Sequence, residues 1–325
     1  MKKILYIVVP CYNEEEVIKE TTKRLTVKLD DMIAKKQIDK DSKIMFVNDG
    51  SKDKTWEYIV ELNEKNKYVT GVNLSRNKGH QNALLAGLSE AKKHADIVIS
   101  MDADLQDDIN AVDKFVAEYD KGAQIVYGVR SSRKKDSFFK RNTALAFYKF
   151  MKFLGVDIVY NHADYRLMSK RAIEELEKFK EVNLFLRGIV PLIGFKTAKV
   201  LYERNERFAG ESKYPLKKML NFAIEGILSF SVKPIRIITV TGFVFSFLSF
   251  IYLLYCLIGY LTGGAAVAGW TTIVMLVCLF GSFQIFCIGI IGEYIGKIYL
   301  ETKERPRFII EEVLLSKEDK NGKNK

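Results

Sequence analysis

Two aspartates separated by a single residue, Asp102 and Asp104, have the type and spacing that most directly suggest chemistry in this chain. They follow the apolar run Ile97–Met101, which predicts a buried strand. Two carboxylates at the end of a strand can reach one divalent cation that carries a diphosphate, and the cation neutralises the charge that develops when the diphosphate departs. Because acidic pairs are also common in turns, the meaning of this pair depends on the elements around it.

The first half of the chain alternates short apolar runs with amphipathic helical stretches, which is typical of βαβ units and a mostly parallel sheet. The predicted strands are Ile4–Val9, Lys43–Val47, Val69–Leu74, Ile97–Met101 and Ile125–Gly128. The predicted helices are Glu14–Lys35, Thr55–Asn66, Gln81–His94 and Ile109–Lys121. Polar clusters follow the first four strands, at residues 10–14, 48–51, 75–79 and 102–104. Since ligands of open α/β sheets bind at the carboxyl ends of the strands, we expect these clusters to converge on one crevice.

Beyond Arg130 this alternation ends. The pattern then predicts a helix with aromatic and basic residues at Ser137–Leu154, a polar segment at Asn161–Met168 and a second helix at Lys170–Lys178. A stretch that contains a strand follows at Arg187–Glu203, and a polar loop at Arg204–Tyr214. Tyr214–Val232 has apolar residues at helical spacing together with basic ones. It predicts an amphipathic helix that lies in the membrane interface or packs on the α/β domain.

A long uncharged run dominates the last third of the chain. From Ile237 to Gly292 there is no Asp, Glu, Lys or Arg. This run is long enough for two membrane spans of roughly 20 residues each with a turn between them. The alternative is a helical hairpin buried in a soluble core. Basic residues flank the run on both sides, at Lys213, Lys217, Lys218, Lys233, Arg236, Lys297, Lys303, Arg305 and Arg307. This distribution predicts that both ends of the hairpin, and both chain termini, are cytosolic.

The predicted organisation has four parts: an α/β domain at 1–213, a juxtamembrane helix at 214–235, a transmembrane hairpin at 236–296 and a cytosolic tail at 297–325. The net charge of +11 does not indicate a nucleic-acid partner, because the basic residues form no single stripe and many flank the apolar run. The four cysteines and three histidines show neither a disulfide framework nor the spacing of a zinc site.

Three ordered segments resemble the signatures of glycosyltransferase family 2: residues 9–14 (VPCYNE), 47–51 (VNDGS) and 101–106 (MDADLQ). Within that family the chain is most similar to the polyprenyl-phosphate glycosyltransferases, which include dolichol-phosphate mannose synthases and bacterial undecaprenyl-phosphate glucosyltransferases. Arg207–Tyr214 resembles the acceptor-side motif of these enzymes, and the two C-terminal spans match their bacterial branch. The resemblance implies a glycosyltransferase A-type, Rossmann-like α/β fold with a nucleotide-sugar site.

The resemblance also implies roles for individual residues. Asp104 is expected to contact a Mg²⁺ or Mn²⁺ ion, and Asp102 to bind the sugar or the nucleotide or to share the metal. The donor nucleotide is expected to meet Pro10, Tyr12, Asn13, Glu14, Asp49, Ser51, Lys78, Asp102, Ala103 and Gln106. For some of these a simpler interpretation stays open, since Asn13 with the glutamates suits a helix N-terminus and Asp49 with Ser51 suits a turn.

Asp164 matches the position that the family uses as catalytic base, so Asp164 and Asp102 are the expected catalytic residues. A phosphate monoester has a second pKa near 6 and is already largely an oxyanion at neutral pH, so orienting the donor sugar is an alternative role for Asp164. Arg166 is expected to pair with Asp164 or with phosphate. Arg207, Ser212 and Lys213 offer a guanidinium, a hydroxyl and an ammonium for the acceptor phosphate, and Arg130 at a strand end is a further candidate.

The implied reaction is an inverting transfer of a sugar, with glucose from UDP-glucose as the leading expectation, to undecaprenyl phosphate on the cytosolic face of the plasma membrane. N-acetylhexosamine, mannose or a modified sugar are the alternatives for the donor. A family 2 transferase that acts on a hydroxyl acceptor and a non-enzymatic membrane adaptor are the competing functions. Bacterial relatives imply a homotetramer.

Overall fold

A computed structural model describes residues 2–131, 162–182, 184–203, 231–262 and 269–316. These residues belong to two compact units. One is an α/β unit that contains the described residues up to 203 and those from Arg305 onward, and the other is a helical unit that contains residues 231–304. The predicted helix Ser137–Leu154, the loop Arg204–Tyr214 and nearly all of the predicted amphipathic helix Tyr214–Val232 lie outside the described residues.

An eight-stranded sheet forms the centre of the α/β unit. Its strands are β1 (Leu5–Cys11), β2 (Lys43–Asn48), β3 (Val69–Leu74), β4 (Ile97–Ser100), β5 (Ile125–Arg130), β6 (His162–Ser169), β7 (Thr197–Tyr202) and β8 (Ile310–Leu314). They lie in the order β7-β5-β6-β4-β1-β2-β3-β8. All pairs are parallel except those that β6 makes with β4 and β5 and the one that β8 makes with β3. The prediction of a mostly parallel α/β fold is confirmed.

In the described part of the α/β unit the helices are α1 (Ile18–Ala34), α2 (Thr55–Lys65), α3 (His80–Ala91), α4 (Ala111–Asp120), α5 (Lys170–Leu176) and α6 (Leu186–Leu192). All residues of β1 are buried, as expected for a central parallel strand covered on both faces. Helix α3 lies especially close to the sheet, since a Cβ on Gly87 would lie 2.5 Å from Val8 Cγ1 and 2.6 Å from Val47 Cγ2. The five strands and four helices predicted in the first half are therefore present, with ends shifted by a few residues.

Two strands differ from the sequence expectation. The segment predicted as merely polar, Asn161–Met168, contains β6, which inserts between β4 and β5. Its residues alternate: Tyr165 and Leu167 contribute to one hydrophobic core cluster, while the intervening Arg166 is also buried. Part of the predicted tail forms β8, which covers the edge of β3 and places Leu314 against the core.

The helical unit contains α7 (Lys233–Leu261) and α8 (Trp270–Thr302). Both are long and apolar enough to cross a membrane, over Lys233–Tyr252 and Leu279–Thr302, and neither of these stretches is buried inside the protein. A hairpin in a soluble core would be buried, so the structure favours a lipid-facing hairpin. The two helices contact each other through Phe245, whose ring lies 6.0 Å from that of Phe280 and 5.6 Å from that of Phe283.

Candidate active site

The loops that follow β1 and β2 hold each other in place at the carboxyl edge of the sheet. Asn13 adopts a left-handed backbone conformation (φ 54°). Its N–H donates to Ser51 Oγ at 3.0 Å, and its Oδ1 accepts from the N–H of Lys52 at 2.9 Å. The N–H of Glu14 donates to Thr55 Oγ1 at 2.9 Å. Asn13 and Ser51 therefore contribute to the framework of the loops, in addition to any contact with a ligand.

Pro10 and Tyr12 occupy different environments in the first of these loops. Pro10 is buried and lies opposite Val47 in the register of β1 and β2. Tyr12 has 41% of its surface exposed, which is unusual for a large aromatic residue beside a buried strand. An exposed ring at the carboxyl edge of the sheet is suited to packing against a planar ligand such as a nucleobase.

Asp49 connects the loop after β2 to the loop before α3. Its Oδ1 accepts from the N–H of Lys78 at 2.7 Å and its Oδ2 from the N–H of Gly79 at 2.9 Å. Burial raises the pKa of Asp49, although these two hydrogen bonds oppose the shift. The neighbouring Gly50 has φ +61°, and a Cβ there would lie 2.5 Å from the backbone nitrogen of Asn77. The two loops thus approach too closely for any other residue at position 50.

The acidic loop after β4 alternates between exposed and buried residues. Asp102, Asp104 and Gln106 are partly exposed, whereas Ala103 and Leu105 are buried. The hydroxyl of Thr21 donates to the carbonyl of Ala103 at 2.9 Å, and the N–H of Gln106 donates to Asp104 Oδ1 at 3.2 Å. The alternation presents the two carboxylates of the motif and the Gln106 amide on the accessible side of the loop, as their predicted roles require.

Asp164 lies on β6 and is held by two guanidinium groups. Arg166 Nη2 donates to Asp164 Oδ1 at 2.6 Å. Arg187, from the first turn of α6, donates from Nη2 to Oδ2 at 3.0 Å and from Nε to Oδ1 at 3.3 Å. Burial by itself would raise the pKa of Asp164, but Arg187 and Arg166 outweigh it and hold the pKa well below the usual range. Of the two partners expected for Arg166, Asp164 or a phosphate, the structure shows Asp164.

A second polar chain connects the acidic loop to the end of β5. The hydroxyl of Tyr202 donates to Asp107 Oδ1 at 2.7 Å, and Arg130 Nε donates to the Tyr202 hydroxyl at 3.5 Å. Burial raises the pKa of Asp107 to about 6, and the carboxylate of Asp102 adds to the shift. Arg130, a predicted acceptor-phosphate residue, is therefore held at the same edge of the sheet as the acidic loop.

His80 lies between the acidic loop and Asp164. Its Nε2 is 3.6 Å from Asp102 Oδ1 and 3.9 Å from Asp164 Oδ2. Burial raises the pKa of Asp102; His80 opposes the shift, and the carboxylates of Asp164 and Asp104 add to it. Negative charge is thus concentrated at the acidic loop, which a cation would relieve.

The donor set fits a divalent cation that is shared with a substrate. Within the part of the chain that the structure describes, no group of three or more His, Cys, Asp or Glu side chains is arranged to hold a metal. Mg²⁺ is commonly bound through one or two carboxylates together with phosphate oxygens and water. Asp104 alone, or Asp104 with Asp102, would supply one or two carboxylate ligands. The remaining coordination positions of the cation are then open to a diphosphate.

The structure brings together most of the residues singled out from the sequence and adds others. Asp49, Lys78, Asp102 and Asp164 belong to loops or strands that contact one another, whereas Arg207, Ser212 and Lys213 lie outside the described residues. Arg187, Asp107 and Tyr202 were not singled out. The only sequence signal for Arg187 is its position inside the apolar run Leu184–Val190, where a charged side chain requires a partner.

Comparison with known proteins places this architecture among sugar-transferring enzymes. Residues 6–177 match the family model "Glycosyl transferase family 2", and residues 233–298 match the "GtrB C-terminal hairpin". An uncharacterized glycosyltransferase of Bacillus subtilis, YkoT, is 57% identical over 308 residues, which cover 95% of this chain and 91% of the relative.

Other relatives have names that state a more specific activity. A prophage bactoprenol glucosyl transferase homolog of Escherichia coli is 39% identical over 94% of this chain and 98% of its own length. The bactoprenol glucosyl transferase of Shigella phage SfX is 39% identical over 94% of this chain and 97% of its own. With the family model covering the α/β unit through α5 and the hairpin model covering α7 and most of α8, the chain belongs to glycosyl transferase family 2 and is a glycosyltransferase.

Proposed function

We propose that this protein transfers a sugar from a nucleotide donor to the phosphate of a membrane polyprenyl lipid, with inversion at the anomeric carbon. The observation that carries the proposal is the combination of two features in one chain. Polar loops lie at the carboxyl edge of the sheet, and the last strand of that sheet, β8, follows a lipid-facing hairpin in the chain. The names of the Escherichia coli and Shigella phage relatives support glucose as the sugar and bactoprenol as the lipid. UDP-glucose is the donor to test first.

The topology of the hairpin supports a site on one membrane face. Strands β1–β7 precede the hairpin and β8 follows it, yet all eight belong to one sheet. This connection supports a hairpin that enters and leaves the membrane on the same side. The basic residues at both of its ends favour the cytosolic side, which contains nucleotide sugars and anionic lipid. We place the α/β unit and both termini there, at the plasma membrane.

The reaction in this site is a single displacement. An oxygen of the lipid phosphate attacks the anomeric carbon of the sugar from the face opposite the nucleotide. The bond from that carbon to the diphosphate oxygen breaks, and its electron pair leaves with the nucleoside diphosphate. The attacking phosphate is largely a dianion at neutral pH, so no proton has to be removed from it.

The residues of the chain have distinct parts in this scheme. Tyr12 and the loops joined by Asp49 would hold the nucleoside. Asp102 and Gln106 would contact the donor further along, whereas the buried Ala103 between them supports the loop. Asp104 would hold a Mg²⁺ or Mn²⁺ ion, which stabilises the negative charge of the departing diphosphate when bound. Arg130, Arg207, Ser212 and Lys213 are the residues proposed to bind the acceptor phosphate. A homotetramer is the proposed assembly.

A screen of donors with a lipid acceptor tests the function. Full-length protein in detergent is incubated with Mg²⁺ or Mn²⁺, undecaprenyl phosphate and one radiolabelled donor at a time: UDP-glucose, UDP-N-acetylglucosamine or GDP-mannose. Label that moves into a lipid fraction, is released by mild acid and requires the lipid phosphate supports the proposal. Label on a hydroxyl-bearing glycolipid with none on the lipid phosphate indicates the alternative transferase. No transfer to the lipid phosphate from any of the three donors would overturn the proposed reaction.

A further inference from the structure

Arg187 is the exposed member of the charged group around Asp164. The Asp164 carboxylate is 15% exposed and Arg166 only 2%, whereas Arg187 is 33% exposed. Arg166 and Arg187 are the two guanidinium groups that pair with Asp164. Of the two, only Arg187 has enough exposed surface to meet a substrate without rearrangement of the core.

Arg187 is also fixed at the edge of the sheet that bears the acidic loop. The antiparallel register pairs Ser100 with Arg166, so Asp164 lies level with the residues that follow the end of β4, the position of Asp102. The hydroxyl of Ser100 donates to the carbonyl of Asp164 and strengthens this alignment. Because Arg187 is bonded to Asp164 through two nitrogens, its guanidinium is confined to the same region.

The backbone that carries Arg187 has an independent attachment to the site. The N–H of Leu186, at the start of α6, donates to Gln81 Oε1 at 2.7 Å. Gln81 follows His80, whose imidazole lies 3.6 Å from Asp102. The first turns of α3 and α6 are thus joined next to the acidic loop, and Arg187 is positioned from both its backbone and its side chain.

A guanidinium held in this way is suited to a phosphate group. Its planar fork matches carboxylate and phosphate oxygens, and prior pairing with a carboxylate reduces the entropy lost when it binds a ligand. Positive charge near a departing diphosphate or an attacking phosphate also stabilises the transition state.

We propose that Arg187 binds a phosphate group of the substrates and that Asp164 acts by positioning Arg187, not by accepting a proton. This inference rests on the proposed function for the identity of the substrates. It agrees with the displacement described above, in which the phosphate oxygen forms a bond to the anomeric carbon, the diphosphate leaves with the electron pair, and no proton passes to Asp164. The phosphate belongs to the nucleotide donor or to the lipid acceptor.

The test compares Arg187→Gln, Arg187→Lys, Asp164→Asn and the double variant Arg187→Gln/Asp164→Asn, all full-length and with metal. Arg24→Gln is the matched control, because Arg24 forms an exposed ion pair with Glu20 on α1. We expect Arg187→Gln to lower kcat/KM by about 10- to 100-fold and Arg187→Lys to recover part of it, since loss of a charged hydrogen bond has that size. Asp164→Asn should lower activity, yet add little to Arg187→Gln because both act through one group.

Binding measurements identify which phosphate is bound. Weaker binding of UDP to Arg187→Gln, with an unchanged KM for undecaprenyl phosphate, assigns Arg187 to the donor; the reverse assigns it to the acceptor. The proposal is overturned if Arg187→Gln binds both ligands and turns over like the Arg24→Gln control, or if the losses from Arg187→Gln and Asp164→Asn multiply in the double variant. Thermal melting of each variant separates a loss of fold from a loss of binding.

Failure of the proposed function is distinguishable from failure of this inference. If the wild-type protein transfers no sugar to undecaprenyl phosphate, the proposed function fails. The Arg187 assignment is then decided by calorimetry alone. The assignment is retained if Arg187→Gln binds either UDP or the lipid phosphate about tenfold more weakly than the wild type. The assignment is overturned if the affinity for both ligands is unchanged.

Discussion

The side-chain amide of Asn73, near the end of β3, donates to Glu311 Oε2 on β8 at 3.1 Å. Asn48 Nδ2 donates to Asn73 Oδ1 at 2.7 Å, and the N–H of Ser51 donates to Asn48 Oδ1 at 3.2 Å. Three consecutive hydrogen bonds therefore connect the strand that follows the membrane hairpin to the loop after β2. The last part of the chain contributes to the support of the predicted nucleoside pocket.

Removal of the Glu311 carboxylate should weaken donor binding. Glu311→Ala removes the acceptor of the last of these three hydrogen bonds. Because one such hydrogen bond is worth about 0.5–1.5 kcal/mol, we expect the Kd for UDP to rise about 2- to 10-fold. Glu312→Ala is the matched control, because Glu312 is the next residue of the same strand and is also exposed. Calorimetry with UDP checks the prediction. Equal Kd values for the two variants would show that β8 covers the sheet edge without supporting the pocket.

Asp104 should be required for metal-dependent transfer. Asp104→Ala removes the carboxylate expected to hold the cation, so transfer should fall by at least about 100-fold while the protein stays folded and membrane-bound. Asp31→Asn serves as the control, since Asp31 pairs with Lys35 on the exposed surface of α1. Transfer of labelled sugar is measured across a Mn²⁺ titration. Full activity of Asp104→Ala would remove the metal assignment.

Asp49 should determine donor affinity through the loop that it holds. Asp49→Asn replaces one acceptor oxygen by an NH₂ group that faces the N–H of Lys78 or Gly79, so the loop must rearrange. Loss of such a buried bond costs about 1–3 kcal/mol, and we expect the donor KM to rise by about 5- to 100-fold. Asp41→Asn, before the opposite end of β2, should leave KM unchanged. An unaltered donor KM in Asp49→Asn would limit Asp49 to a role in the turn.

Asp107 should make stability depend on pH. Its pKa of about 6 lies above the ordinary value of 3.8. Between these values the folded protein binds a proton that the unfolded chain lacks, so the free energy of unfolding should fall as pH rises from about 4 to about 6. Asp107→Asn keeps an acceptor for Tyr202 and removes the ionisation. The free energy of unfolding of both proteins is measured in EDTA as a function of pH. With rising pH, Asp107→Asn should become more stable relative to the wild type, by on the order of 2 kcal/mol above pH 7. A difference between the two that is constant with pH would contradict the assignment.

Regular patterns made much of the α/β unit predictable. The strands β1 to β5 are apolar runs followed by polar loops, and the helices between them have apolar residues at helical spacing. β6 was not predicted, because Asp164 and Arg166 interrupt its apolar pattern and their burial is tolerated only when they pair with each other. β8 was not predicted either, because an edge strand needs few apolar residues and β8 comes after the hairpin in the chain.

The sequence by itself determined the family motifs, the acidic pair that follows β4 and the two apolar spans, because each depends on residues that are close together in the chain. Only the tertiary structure decided what Asp164 contacts. Arg187 lies 23 residues away and approaches Asp164 because α6 packs beside the first turn of α3. Local spacing carries no information about such a pairing, since it arises when separate elements pack on one sheet. The same packing brings β8 to the edge of β3, although the hairpin and most of the α/β unit lie between these two strands in the chain.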